Sequence, residues 1–352
     1  MSISVVIQQM IIIFILIMLG MLLYKREMLS EMTSRQFSGL IVNLTNPALL
    51  ICSALREGPK VSLQELGKAL TVDMIIYLLL IAVSFLIPCL LRVPQHYRYS
   101  YQMLTIFGNV GFIGIPLASA VLGTESLIFV SIYNLLYNVL MYTFGISILQ
   151  RASVRQAVGQ RGEILCEDAC DLQQAEDGCG MEEQNLEDRK RPGVWRKNGE
   201  KAKNAHWKKL VNVGTISAAA TIFLYLSDVK TPPILSDTLT YIGQTTTFLS
   251  MLVLGVSVAQ MTLKDIFSHP KLYGFVLLRQ IMLPVGCVLL LRPFLESQLL
   301  LSTTALMLAV PAGNMPLMLS KQLHVETDTI SQGIILTTVL GLVTIPVVSL
   351  FL

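Results

Sequence analysis

The stretch GNVGFIGIP at residues 108–116 and the stretch VPAGNMP at residues 310–316 interrupt two otherwise apolar segments. Each combines glycine and proline with an asparagine, Asn109 in the first and Asn314 in the second. Proline lacks an N–H group and clashes with the preceding turn, while glycine permits unwinding, so a helix is expected to break at each stretch. Because lipid cannot hydrogen-bond the exposed backbone, such breaks are tolerated only inside protein or beside water. We therefore predict two broken helices inside a membrane protein.

The composition of the whole chain excludes a soluble fold. Hydrophobic residues occupy 53% of the 352 positions and charged residues only 14%. Windows of roughly 20 apolar residues, the length that crosses a bilayer core, occur ten times, and their continuity excludes a barrel. The prediction is an all-α polytopic membrane protein. We place the spans at residues 5–24, 36–55, 69–91, 100–122, 126–149, 209–226, 234–259, 272–291, 297–320 and 328–351.

The distribution of lysine and arginine predicts the orientation in the cell membrane. With both termini outside, the inner loops hold 20 such residues and the outer loops five; without the long central loop the comparison is eight against five. We read the first span as a retained helix and not as a signal peptide. The chain then divides into a five-helix repeat at 1–150, a charged cytoplasmic loop at 151–208 and a second five-helix repeat at 209–352.

The central loop has two charge blocks. Residues 163–188 hold ten acidic and no basic residues, and residues 189–209 hold nine basic and one acidic residue. A solvated linker is the favoured interpretation, and contact of the basic block with anionic headgroups is the alternative. Cys166, Cys170 and Cys179 lack the spacing of a structural zinc site, so we expect reduced thiols and no metal or cofactor. No basic face outside the loop indicates nucleic-acid binding.

The two interrupted spans are the fourth helix of each five-helix half. An odd number of helices per half makes the second half enter the membrane from the opposite side, so inverted repeats are expected, and matched breaks indicate a transporter binding site. The second half-helix presents its N-terminus, which favours an anion, and the side chains of Asn109 and Asn314 could donate to a carboxylate. Kinks that only serve helix packing are the competing explanation.

Five further polar side chains within spans are candidates for the site. Asn46 and Thr246 lie in polar patches that either line the path or pack helices, and Asn138 belongs to a polar stripe that we expect to face the substrate. Asp73 and Arg279 are intramembrane charges. Asp73 lies a few residues inside the outer edge of its span, where it could reach water, and coupling to a proton or to the substrate is one candidate role. Arg279, about 10 Å from the inner end, could attract anions or pair with a carboxylate or a carbonyl. Without an obvious cationic pocket, the anion would be held mainly by half-helix amides and asparagines.

The sequence GNVGFIGIPL at 108–117 resembles the fourth-helix motif of the auxin efflux carrier family, which includes plant PIN transporters and bacterial malate and malonate permeases. Residues 311–316, 320–321 and 330–333 and Pro346 are similar to the ninth and tenth helices of that family. The resemblance implies ten helices in two inverted repeats. It also implies a scaffold of helices one, two, six and seven, with helices four and nine crossing.

The resemblance also assigns roles within the crossing. It implies that Pro116 and one of Pro311 or Pro316 mark the crossover. Asn109, with Gly111 beside it in the motif, matches the polar position that meets the substrate carboxylate. Asp73 resembles an acidic residue that supports the site. Ala312 stands where the plant carriers have glutamine, which favours an organic anion other than auxin.

The predicted function is secondary transport of an organic carboxylate, with a malate-like or malonate-like dicarboxylate favoured, by an elevator or rocking mechanism. No nucleotide-binding loop is present. Coupling to a proton or sodium ion, and a homodimer, are left open. The alternatives are an exporter of auxin-like indole acids and, disfavoured by the matched breaks, a channel or sensor. An enzyme is not expected, because the four histidines lie outside the spans and Asp73 has no acidic companion.

Overall fold

The computed structural model describes residues 3–55, 61–156, 213–227, 231–260, 270–323 and 325–352, and within these ranges the regular structure is helical. Helices occupy all ten predicted positions, and two of them are broken. They are α1 (Ile3–Lys25), α2 (Glu31–Leu55), α3 (Leu63–Leu90), α4a (Arg98–Ile106) and α4b (Val110–Leu122), α5 (Thr124–Gln156), α6 (Val213–Ser227), α7 (Pro233–Ala259), α8 (Pro270–Leu291), α9a (Gln298–Ala309) and α9b (Met315–Gln322), and α10 (Asp328–Ser349).

Seven helices in the described ranges are long and apolar enough to cross a membrane, namely α1, α2, α3, α5, α7, α8 and α10. Helices α4b, α6 and α9a are shorter apolar helices. α5 runs to Gln156, past the predicted end of the first repeat at residue 150. The cysteines and both charge blocks of the central loop lie outside the described residues.

Three of the four π-helical turns precede a proline by two residues. The π turns at Ile41–Thr45, Val110–Gly114 and Leu277–Met282 are followed by Pro47, Pro116 and Pro284, and the fourth is at Met141–Gly145 in α5. A proline inside a helix loses one hydrogen bond and collides with the carbonyl four residues earlier. A widened turn relieves that collision, and such turns recur at functional sites.

Helices α1, α2, α6 and α7 pack together through small residues. A Cβ atom on Gly255 of α7 would clash with the carbonyl oxygen of Ile17 and lie 2.8 Å from the Cα atom of Gly20 on α1. A Cβ atom on Gly243 would lie 2.8 Å from the Cα atom of Leu49 on α2. The backbones therefore approach closely, as is typical of helix association in membranes.

The remaining helices surround the two breaks. Helix α4a packs against α3 and α10, while α9a packs against α8, α10 and α5. The α3 helix begins six residues earlier than predicted, because the Ser62 hydroxyl caps it by accepting from the Glu65 N–H at 3.2 Å. The charged first turn of α3 hid this start from a search for apolar windows. Apolar side chains such as Ile15 of α1 and Leu78 of α3 point outward, as expected of a surface that faces lipid.

Candidate functional site

The breaks of helices α4 and α9 are in direct contact. Gly108 and Ala312 form an isolated antiparallel bridge. The Asn109 N–H donates to the Pro311 carbonyl at 2.7 Å, and the Gly313 N–H donates to the Phe107 carbonyl at 2.9 Å. Backbone groups that the unwound segments would otherwise leave unpaired therefore satisfy each other, which permits both breaks to lie buried at this point. We call residues 107–109 and 310–314 together the crossover.

The crossover requires glycine where the two backbones meet. A Cβ atom on Gly313 would lie 2.7 Å from the carbonyl oxygen of Gly108. A Cβ atom on Gly108 would lie 2.9 Å from the Cγ2 atom of Val310. Of the two prolines proposed for the second break, Pro311 lies within the crossover, whereas Pro316 is the second residue of α9b. Pro116 is buried in α4b, beyond its π turn.

Side chains from two neighbouring helices support the α9 break. The Ala312 N–H donates to the Thr337 hydroxyl of α10 at 3.1 Å. The Gln280 side chain of α8 donates through Nε2 to the Thr337 carbonyl at 2.9 Å, and Gln280 is fully buried. A Cβ atom on Gly341 of α10 would lie 2.9 Å from the Cγ atom of Pro311. The α9 break is thus held by α8 and α10 as well as by α4.

We expect the change Thr337→Val to lower the free energy of unfolding by about 1–3 kcal/mol, because the buried Ala312 N–H loses its acceptor. Thermal unfolding of the purified protein measures this. Thr338→Val is the matched control, since the Thr338 hydroxyl bonds only to the Ile334 carbonyl of its own helix. Equal losses in the two variants would contradict a role for Thr337 in the break.

Arg279 lies at the crossover and is 1% exposed. Its Nη1 atom donates to the carbonyls of Leu308, at 2.8 Å, and Val310. Its Nη2 atom is 3.1 Å from where a Cβ atom on Gly108 would be, and its Nε atom is buried with no partner among the described residues. Of the options left open by the sequence, pairing with carbonyls is therefore the one observed. The sequence shows no obvious cationic pocket at mid-membrane, and the structure places this buried guanidinium beside the crossover.

The end of α9a explains why a guanidinium is stable there. The last carbonyls of a helix lack intrahelical partners and carry the negative end of the helix dipole. Arg279 therefore caps the C-terminus of α9a, and the helix carbonyls serve it as acceptors where a carboxylate would otherwise do so. No carboxylate in the described ranges forms an ion pair with it. The π turn at Leu277–Met282 buries Arg279 and Gln280, two successive residues, in the same core.

Asn109 has two roles within the crossover. Its Oδ1 atom accepts from the Phe112 N–H at 3.2 Å and so caps α4b. Its Nδ2 group is buried with no hydrogen-bond partner in the described structure, and the Gly111 N–H in the first turn likewise has none there. Donors at a helix N-terminus that have no acceptor among the described residues are suited to bind an anion.

Asn314 differs from Asn109 although the motifs match. It directly precedes α9b and is only partly buried, and its carbonyl accepts from the Met318 N–H at 3.1 Å. Its side chain makes no hydrogen bond to another described residue. The two asparagines therefore lie at equivalent ends of half-helices, but only Asn109 caps its helix through the side chain.

The polar patches of α2 and α7 reach α4b. The Asn46 Nδ2 group donates to the Gly111 carbonyl at 2.9 Å, and α7 contacts both the Ile41–Thr45 turn and the first turn of α4b. Buried side-chain oxygens without a partner among the described residues are found on both helices, at Thr45, Asn46, Thr246 and Ser250. Buried polar groups are normally paired with protein or with ordered water. The surface of α2 and α7 beside the crossover therefore has side-chain oxygens that are available for further hydrogen bonds.

Asp73 is 2% exposed, so the contact with water that its predicted position near the outer edge allowed is not observed. It follows the first residue of α3 by ten positions, about 15 Å along the helix. Tyr77 of the same helix stacks with Tyr133 of α5, with ring centroids 4.8 Å apart. Tyr133 lies within electrostatic range of both Asp73 and Arg279. Asp73 and Arg279 therefore both act on Tyr133, and they form no ion pair with each other.

Asn138 is buried in α5 and is bound within its own helix. Its Nδ2 group donates to the Asn134 carbonyl at 2.8 Å and lies 3.3 Å from the Asn134 Oδ1 atom. The neighbouring Tyr137 packs edge-to-face on Phe107 at the crossover, with centroids 5.6 Å apart. The polar stripe of α5 thus contacts the crossover through Tyr137.

Sequence reasoning missed Gln280 and Thr337. Both are uncharged and lie in apolar spans, where a single polar residue attracts little attention. A usable signal existed for Gln280, because it follows Arg279 directly and lies four residues before Pro284, where a widened turn is expected. Nothing local distinguishes Thr337 from the neighbouring Thr338.

Comparison with known proteins shows the family of this chain. The sequence model of a family described as membrane transport protein matches residues 5–349, nearly the whole chain. No curated protein matches the chain closely enough to count as a relative. The resemblance carried by residues 108–117 and 311–346 is confirmed by the family match. With its apolar helices, the chain is a multi-pass membrane protein that belongs to the auxin efflux carrier family of membrane transport proteins.

Proposed function

We propose that this protein is a secondary transporter that binds an organic carboxylate at the crossover, with a small dicarboxylate such as malate or malonate favoured. The observation that carries the proposal is the unpaired, buried Nδ2 donor of Asn109 at the N-terminus of α4b. A carboxylate oxygen is the natural acceptor for this donor and for the free Gly111 amide. The same broken segments also contain Gly111, Pro116, Pro311, Asn314 and Pro316.

The proposed transport cycle moves the crossover relative to a scaffold. Helices α1, α2, α6 and α7 form the proposed scaffold, in which α7 packs closely on α1 and α2 through glycines. Among the described residues, its face toward α4b has one hydrogen bond, from Asn46 to Gly111, and several hydroxyls without a partner there, including that of Thr246. An interface with few fixed partners is suited to sliding, because few bonds must break when the crossover moves. This arrangement supports our proposal of alternating access of the elevator or rocking kind.

The proposed topology has two inverted repeats and a defined orientation in the membrane. Residues 1–150 and 209–352 form two inverted five-helix repeats around the 151–208 loop, with both termini outside and the loop in the cytoplasm. Asp73 and Asn138 support the site, and Asp73 is the candidate for coupling to a proton or sodium ion. Two observations support this role for Asp73. Its side chain is buried, and it acts electrostatically on Tyr133, as Arg279 also does.

Uptake into proteoliposomes tests the proposal. Labelled malate, malonate, lactate and indole-3-acetate are compared with and without pH and sodium gradients. We expect saturable uptake and counterflow for at least one small carboxylate, with malate or malonate preferred. Preference for indole-3-acetate would favour the auxin-like alternative, while uptake that does not saturate would favour a channel.

Variants of Asn109 separate its capping role from its binding role. Asn109→Ser keeps a side-chain oxygen for the Phe112 N–H, so we expect near-normal stability. We expect uptake to fall at least about tenfold, because the Nδ2 amide is lost and the shorter serine hydroxyl, placed at the cap, does not reach its position. Asn109→Ala should also lose about 1 kcal/mol of stability with the cap. Asn314→Ala should lower uptake without affecting stability, since its side chain makes no hydrogen bond to a described residue.

The matched control for these variants is Asn43→Ala. Asn43 is an exposed residue of α2, and its side chain bonds only to the Gly39 carbonyl of its own helix. Uptake by this variant should equal that of the wild type. If Asn109→Ser and Asn314→Ala both transported every active substrate normally, the crossover would not be the binding site.

A further inference from the structure

The half-helix ends at the crossover do not by themselves give it a net charge. The N-termini of α4b and α9b carry partial positive charges, and the C-termini of α4a and α9a carry partial negative charges of similar size. Two ends of each sign meet at the same place. Their contributions therefore largely cancel, and a side chain must decide which charge the site prefers.

Arg279 contributes a full positive charge at this place. Its Nη2 atom lies against Gly108, the residue directly before Asn109. A guanidinium stays protonated at all relevant pH values. At a separation of a few ångströms in a protein interior, such a charge dominates the field of partial backbone charges.

The positive charge of Arg279 is only partly compensated by the surrounding protein. Nη1 makes both of the hydrogen bonds that Arg279 forms with described residues, to two carbonyls at the end of α9a. The buried Nε donor has no partner within the described ranges. Arg279 has no ion-pair partner there. A buried guanidinium with unused donors is costly unless an anion or another acceptor completes its shell.

We propose that Arg279 determines the charge selectivity of the crossover, so that the site takes carboxylate anions in preference to neutral molecules of the same shape. This inference rests on the proposed function and adds a residue that the paired asparagine motifs do not contain. In this view the asparagines position the carboxylate, while Arg279 supplies the charge that favours it. Arg279 is thus a specificity-determining residue, and it also holds the end of α9a.

The test compares an acid with its neutral analogue in variants of Arg279. Binding of malate and of malamide, its uncharged diamide, is measured on purified full-length protein in nanodiscs at fixed ionic strength. We expect the wild type to bind malate at least about tenfold more tightly than malamide, given the strength of a short-range charge interaction. In Arg279→Gln, which keeps a donor for the α9a carbonyls, the two affinities should come within about threefold. Arg279→Lys, which keeps the charge, should retain the preference of the wild type.

The outcomes separate a charge effect from structural damage. A displaced crossover would weaken malate and malamide equally, whereas loss of the charge weakens malate alone. A folded Arg279→Gln protein that still prefers malate as the wild type does would overturn the inference. So would a folded Arg279→Lys protein that has lost the preference, and this variant decides the question if Arg279→Gln does not fold. If the wild type bound none of malate, malonate, lactate and indole-3-acetate, the proposed function itself would fall.

Discussion

Replacing Gly255 with valine is expected to prevent the chain from reaching a stable fold. A Cβ atom at this position of α7 would overlap the Ile17 carbonyl oxygen and lie 2.8 Å from both the Gly20 Cα and the Met21 nitrogen. All three are backbone atoms of α1, so no side-chain rotation relieves the overlap. The two helices would have to separate along their shared face, and we expect a loss of at least about 3 kcal/mol.

Size-exclusion chromatography and thermal unfolding of the detergent-purified protein measure this loss. Gly286→Val is the matched control, because Gly286 lies exposed in α8 and a Cβ atom there would meet open space, with no described neighbour within 4 Å. The control should elute and unfold like the wild type. A monodisperse Gly255→Val protein with an unchanged melting temperature would show that α1 and α7 do not need this close approach.

Replacing Gly313 with alanine should abolish transport while most helices still form. The added methyl group would lie 2.7 Å from the Gly108 carbonyl oxygen and 3.3 Å from that of Phe107. Both oxygens belong to the α4 break, so the α4 and α9 breaks must move apart. The hydrogen bond from the Gly313 N–H to Phe107 would lengthen, and the half-helix ends would lose their alignment on the substrate.

Initial rates of malate uptake and the helical signal in circular dichroism test this prediction together. We expect uptake to fall by at least about a hundredfold, since misplacement by about 1 Å is enough for losses of that size. Gly39→Ala, at a position of α2 with open space around it, should transport normally. Normal uptake by Gly313→Ala would mean that the tight crossing is not needed for function.

Local chemistry was enough to predict the helices and the two breaks. Runs of apolar residues of membrane-spanning length predict helices, and proline with glycine predicts interruption, because both effects act within one turn of the chain. Helix ends were predicted less well. The start of α3 was missed because its first turns hold Glu65 and Lys68, which count against an apolar window yet are compatible with a capped helix end.

The partners of the buried polar groups could not be predicted locally. Arg279 meets carbonyls that lie about 30 positions later in the chain, and Asn46 meets Gly111 at a separation of 65 residues. The sequence showed that an arginine lay in a span, but it did not show that the broken end of α9a supplies the acceptors. The burial of Asp73 could not be predicted locally either, because it depends on how α3 packs against its neighbours and not on the distance of Asp73 from a charged loop.

By itself, the sequence of this protein determined an all-helical membrane chain with two matched breaks, each beside an asparagine, because these features follow from residue type and spacing. Only the tertiary structure decided that the breaks bond to each other, that Gly313 and Gly255 sit where no side chain fits, and that Arg279 lies at the crossover. Those facts depend on contacts between segments far apart in the chain. Such contacts are set by the packing of whole helices, which no local pattern specifies.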